Sequence, residues 1–217
     1  MKSELEALSE LSPIHGERGR ELFAACNAEI FPCDALAYAV LERSLNLLKG
    51  FHLLMENGGY MPGVGLLRMQ LDSILRFNGV VRSLAPHETA SLIINGTSLR
   101  TLKDRSGIKM TDKHLVSLLL ASNPWVEHVY SLASSYIHLS DQHFFHMLAR
   151  SKGDGTGKRD ICIGDDDEHI PVEQKEQLVN AFAVLTRGIL NVISQWTKIR
   201  HEYGSNEHLN SLYDKAV

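Results

Sequence analysis

Cysteine is scarce in this chain of 217 residues: Cys26, Cys33 and Cys162 are an odd number and lack the paired spacing of a metal knuckle. Neither a disulfide framework nor a zinc site is expected from them, and a reducing cytoplasm suits that usage. Long apolar runs are missing as well. None approaches the roughly 18 to 20 residues of a membrane span, and the opening MKSELEALSE has no apolar signal core. The expectation is a cytoplasmic protein that meets no membrane. Net charge is small, 22 basic against 26 acidic residues for a formal −4, which excludes a uniformly basic nucleic-acid coat but leaves room for a local basic patch. No internal repeat or linker divides the chain. What is present is ordinary globular composition, 44% hydrophobic and 22% charged, in a chain long enough to bury about 70% of its unfolded surface.

Helical periodicity dominates. From Asp34 to Asn57, Leu36, Val40, Leu41, Leu47, Leu48, Phe51, Leu54 and Met55 recur at three- and four-residue spacing, with Asp34 expected as the N-cap. Asn57-Gly58-Gly59 closes this helix, Pro62 stands near the first turn of the next, and a second arm bearing Leu67, Leu71, Ile74, Leu75, Asn78 and Val81 runs to about Leu84. A short helix is expected over 87–94, then a charged loop over 100–113. Thr111 or Asp112 caps a further helix, Asn123-Pro124 opens another, and Ser140 caps one reaching Arg150. The stretch 151–171 turns to glycine and acid, with a short hairpin expected near Ile161 to Ile163; a long amphipathic helix from Pro171 to His201 ends at Gly204. The expected fold is therefore an all-α single-domain bundle around a long antiparallel hairpin: residues 1–33 a helical extension, 34–203 the core, 204–217 a polar tail. Leu71, Leu75, Trp125, Phe182 and Trp196 are its expected core.

Chemistry is less legible. GDGTGK at 153–158 has three residues between its first glycine and the Gly-Lys pair, where a phosphate loop needs four, and Arg159 where it needs Ser or Thr. His143 and His146 are three apart and share a helix face, but the zinc-protease spacing is absent, so no metal and no cofactor are expected. Arg68, Asp72 and Arg76 stand at four-residue intervals and read first as an ion-pair ladder. A second reading joins Arg68 and Asp72 to Tyr136, His138 and Ser140: Asp72 orients His138, Arg68 neutralises the acid, and the cluster either locks the helices together or prepares His138 for acid–base work on an anion. Five basic residues between Arg100 and Lys113, against two acids, make Lys103, Arg105 and Lys109 candidates for anion binding. Seven acids against one lysine between Asp160 and Glu176 offer a segment on which that loop could dock.

The segments GLLRMQLDSILRFNGVV, LKDRSGIKMTDKHLV, NPWVEHVYSLASSYIHLSDQHFF and ICIGDDDEHIP, with a long helix containing SQWTK, span most of residues 60 to 200. Together they resemble a family of bacterial all-helical proteins of uncharacterised activity, and more distantly the architecture is similar to the HEPN superfamily. That resemblance implies a helical bundle and a stress or phage-defence setting. HEPN ribonucleases carry an arginine followed, after four to six residues, by a histidine, and Arg82 to His87 has that spacing, with Pro86 departing from the pattern. In such a pair the arginine stabilises phosphate charge and the histidine moves a ribose proton without a metal. Two functions are expected to compete: a non-catalytic interaction protein binding a protein partner or a second copy, and a HEPN-like RNA-binding protein or ribonuclease.

Overall fold

Apolar residues three and four apart cover one face of each helix, and those faces meet in a computed structural model that describes residues 1–27, 29–120, 123–153, 159–161, 163–164 and 166–203. The elements are α1 (Lys2–Ser9), α2 (Leu11–Ala25), α3 (Pro32–Glu56), α4 (Tyr60–Val81), α5 (Pro86–Ile94), a 3-10 turn (Leu99–Thr101), α6 (Asp112–Leu120), α7 (Trp125–Ile137), α8 (Asp141–Arg150), β1 (Lys152–Gly153), β2 (Arg159–Asp160) and α9 (Val172–Tyr203). The class is all-α, as the periodicity requires. The strand pair, Lys152 with Asp160 and Gly153 with Arg159, precedes the expected Ile161–Ile163 position. Most of GDGTGK, Cys162, Gly204 and the polar tail lie outside the described residues.

α3 and α4 form the expected hairpin, closed where Gly58 takes φ +72° and the Gly59 amide donates to Leu54 O. α9 lies along α4 and also packs on α2 and α3, so three long helices share the core with Leu71, Phe182 and Trp196 fully enclosed. Trp125 differs from its companions: it is only partly buried against this core. α1 and α2 contribute Leu5, Leu8, Leu11 and Leu22 to the same cluster, so residues 1–33 are bundle rather than extension. α9 is long and apolar enough by composition to cross a membrane, but 56% of its most apolar window is buried in the bundle, as in a core helix.

Two polar networks run through this interior. Asp34 is not the N-cap of α3, which starts two residues earlier at Pro32; from the first turn its carboxylate accepts the Phe31 amide at 3.0 Å. The same side chain accepts Trp196 Nε1 at 2.8 Å and pairs with Arg200 Nε at 3.1 Å, both from α9. In the second network His15 Nδ1 lies 2.9 Å from Leu11 O, a pure acceptor, which puts the imidazole hydrogen on Nδ1 and leaves Nε2 to accept from Ser44 Oγ at 3.0 Å. Gln70 Nε2 then donates to Ser44 Oγ and to Thr186 Oγ1, tying α2, α3, α4 and α9 together.

Candidate functional site

The five residues joined by sequence reasoning separate into different surroundings. Arg68 and Asp72 stay together, one helical turn apart with 3.8 Å between charged atoms. Arg68 Nε donates to Ser134 Oγ at 3.2 Å and its guanidinium stacks 4.4 Å above the Tyr130 ring, both on α7. Arg76 holds Asp72 at 2.8 Å. Arg68, Arg76 and Arg100 then converge on Asp112 at the start of α6, at 4.0, 3.6 and 3.9 Å, beyond hydrogen-bonding reach. Three guanidiniums thus face two carboxylates. The ion-pair ladder is present, extended by Arg100 and Asp112 into a cluster that joins α4, α6 and α7.

Tyr136 and Ser140 belong elsewhere, and His138 joins neither group. α7 ends at Ile137; His138 leaves the helix in extended geometry, exposed to solvent, with no hydrogen bond or ion pair among the described residues. Ser140 is the expected cap of α8, accepting the Gln142 amide, while its own amide donates to His143 Nδ1 at 3.3 Å. Tyr136 meets the histidines of α8. Its Oη lies 3.0 Å from His146 Nε2, and His146 Nδ1 lies 3.0 Å from Nε2 of His169. Burial, reinforced by the charges of neighbouring His169, His143 and Arg150, lowers the pKa of His146; burial, then Arg150, lowers that of His169; burial raises that of Tyr136. The orientation that uses the phenol proton has Tyr136 donating to Nε2 and the Nδ1 hydrogen of His146 passing to His169.

This chain borders a cleft of about 470 Å³ under α8, between the Gly58-Gly59 turn and the segment around 163–169. His143, His146, Met147 and Arg150, spaced three and four apart, give α8 one stripe facing that cleft. Arg150 donates to Asp166 O at 2.5 Å and to Asp166 Oδ2 at 2.6 Å, against a bare Gly164 whose Cβ would overlap the guanidinium. Asp167, itself buried, accepts Lys175 Nζ at 2.5 Å on Oδ1. Asp166 and Asp167 therefore pair at home, with Arg150 and Lys175, and among the described residues no ion pair joins this stretch to the basic loop. His169 was missed in the sequence because it lies in an irregular segment without periodicity; the His143 and His146 spacing was the available signal.

The Arg82–His87 pair is corrected by burial. His87 is 3% exposed, its ring set between Phe31 and Trp196 at 5.3 and 5.2 Å, with Nδ1 accepting the Cys33 amide. Burial pushes its pKa down to about 4. A core histidine of this kind cannot reach a ribose, and exposed Arg82 instead donates to Asn78 Oδ1 at 3.2 Å, supplying the partner that Asn78 needs within its apolar stripe. The basic loop is a built turn. Buried Asp104 accepts the Ser106 and Ile108 amides and His114 Nε2, Gly107 takes φ +75°, and Lys103 and Lys109 form a bridge. Lys103, Arg105 and Lys109 project outward from it, and Arg105 Nε reaches Arg82 O. No group of three metal-binding side chains converges among the described residues.

No family model, no curated protein and no solved structure matches the chain.

Proposed function

We propose that the protein is a non-catalytic helical interaction protein that self-associates through the outer face of α8. The observation that carries this reading is the reversed polarity of that helix. A surface helix ordinarily turns its apolar stripe to the core, whereas α8 turns histidines inward, buries no residue completely, and leaves Phe144 and Phe145 54% and 57% exposed with Leu139 beside them at 93%. An exposed aromatic pair on an ordered helix is the mark of a covered surface. A second copy suits it: two α8 helices packed antiparallel about a two-fold axis oppose unlike dipole ends and bury both phenylalanine pairs in a self-complementary contact. The resemblance to bacterial helical proteins implies a stress or phage-defence setting, and the cysteine usage a cytoplasmic one, both carried here as part of the proposal. Light scattering after gel filtration tests it. Wild type is expected at twice the chain mass and a Phe144→Ser, Phe145→Ser variant at the chain mass with unchanged melting. Wild type that stays monomeric across the accessible concentration range overturns self-association.

The RNA-binding reading is favoured by a separate observation. Arg68, Arg76 and Arg100 stand around Asp112 at distances that leave guanidinium hydrogens for another acceptor, and Lys103 and Lys109 are exposed on the loop that precedes Asp112. A single-stranded RNA oligomer should then bind at low salt and lose affinity steeply as salt rises, and Arg76→Ala with Arg100→Ala should flatten that dependence by about two phosphate contacts. Binding that ignores both salt and these substitutions removes the reading.

A further inference from the structure

The inner side of α8 has chemistry that self-association does not use. At about 470 Å³ the cleft beneath it has the size of a small-molecule site, and its walls include Tyr60, Met61 and Met147, side chains that pack on aromatic faces. Its polar groups sort by what they have left to offer. The Arg150 guanidinium gives its two terminal nitrogens to Asp166, which answers its charge, and keeps a buried Nε without a partner. His146 is engaged on both ring nitrogens, by Tyr136 and by His169, whereas His169 keeps a buried Nδ1 with no hydrogen-bond partner. Asp167 gives one oxygen to Lys175, and its other, Oδ2, is buried with no hydrogen-bond partner although the residue lines the cleft. His143 accepts the Ser140 amide on Nδ1, so the neutral ring carries its hydrogen on Nε2. The cleft thus holds an unanswered carboxylate acceptor on Asp167, imidazole donors on His143 and His169, and an arginine whose charge is answered by Asp166.

From this set we propose that the cleft binds a small uncharged heterocycle carrying an amino group beside an unprotonated ring nitrogen, the edge presented by cytosine and adenine. The amino N–H meets Asp167 Oδ2, the ring nitrogen accepts from His143 Nε2, and the flat ring lies among Tyr60 and the methionines. A free phosphate is disfavoured by the same arrangement, since Asp166 and Asp167 line the cleft and the charge of the lining arginine is already paired with Asp166. Uracil has the same size but a carbonyl in place of the amino group, so it sets an acceptor against Asp167 Oδ2 and leaves the carboxylate unpaired.

The test is calorimetric titration of the full chain with cytosine, adenine, uracil and inorganic phosphate. Cytosine and adenine are expected to bind, uracil at least about tenfold more weakly, and phosphate not at all. Met147→Trp, which fills the cleft from the partly exposed side of α8, should abolish the heat of binding while leaving the melting transition in place. His143→Gln, whose amide retains a donor, should weaken binding less than His143→Ala. Equal binding of uracil and cytosine, undiminished binding in Met147→Trp, or no binding of either amino base overturns the proposal. None of these outcomes bears on the mass of the assembled protein, so this site and the outer face of α8 stand or fall separately.

Discussion

Between Phe31 and Trp196, His87 is enclosed so fully that burial pushes its pKa down to about 4, while the same side chain in the unfolded protein titrates near 6.5. Between those values the unfolded state binds a proton that the folded state refuses. Stability therefore falls as pH drops from about 6.5 toward 4, by about 1.4 kcal/mol per unit and roughly 3 kcal/mol in all, and this residue adds no slope above neutrality. His15, His146 and His169 are lowered by burial as well and act in the same direction. Urea unfolding at pH 7 and pH 5 should record the loss, and His87→Gln should remove about one proton from the slope; an unchanged slope would count against the buried neutral imidazole. Single residues were the hardest part of this protein to read from its sequence. Tyr136, His138 and Ser140 alternate over five positions, but a helix ends at Ile137 and the next is capped at Ser140, so no common helix face carries the three. Tyr136 is carried to the α8 histidines and His138 to solvent. Arg68 and Asp72, on one uninterrupted helix, kept the relation that their spacing implied.

Along the elements, the long helices were legible because each has a single wide apolar face that can be satisfied only by burial. Leu71 in α4 is fully enclosed, and Leu71→Ala should cost about 2 to 5 kcal/mol, measured as the shift in unfolding free energy. Phe145→Ser on α8 is the informative contrast. A comparable loss of apolar volume should there change the stability of the isolated chain by less than about 0.5 kcal/mol, because the ring is exposed. Glycines within helices report close approach. A Cβ at Gly79 would stand 2.6 Å from Leu115 Cδ2 of α6, and one at Gly188 of α9 would stand 2.6 Å from Ile74 Cδ1 of α4. Alanine is the better helix former by about 1 kcal/mol, yet Gly79→Ala should destabilise by about 1 to 3 kcal/mol, since Leu115 is itself buried and has no room to move. A raised melting temperature in that variant would refute the packing. The polarity of α8 escaped the sequence for a plain reason. HFFHMLAR contains both stripes, and periodicity says that they lie on opposite faces without saying which face meets the protein. The deciding partners, His169 and Asp167, come from a segment with no period of its own.

At the scale of the whole molecule, the ends of the described chain are tied to its beginning by charge as well as by packing. Asp34 at the start of α3 and Arg200 near the end of α9 are almost wholly buried, 0% and 2% exposed at the side chain, with Trp196 donating to the same carboxylate oxygen. α9 also covers α2 and α4 and supplies Thr186 to the polar network of Gln70. These contacts have an order in time. A ribosome makes roughly 5 to 20 residues per second, so the stretch between the end of α4 and the start of α9 occupies on the order of 5 to 20 s of synthesis. For that interval the faces of α2, α3 and α4 that α9 will cover are exposed, and the Asp34 carboxylate lacks the cation that will neutralise it. The first half of the protein is thus expected to need whatever shields apolar surface on nascent chains. A chain stopped at residue 171 should be recovered in the insoluble fraction or bound to chaperones, and separately added α9 peptide should restore its solubility. Closure of the bundle consequently waits until α9 has cleared the exit tunnel.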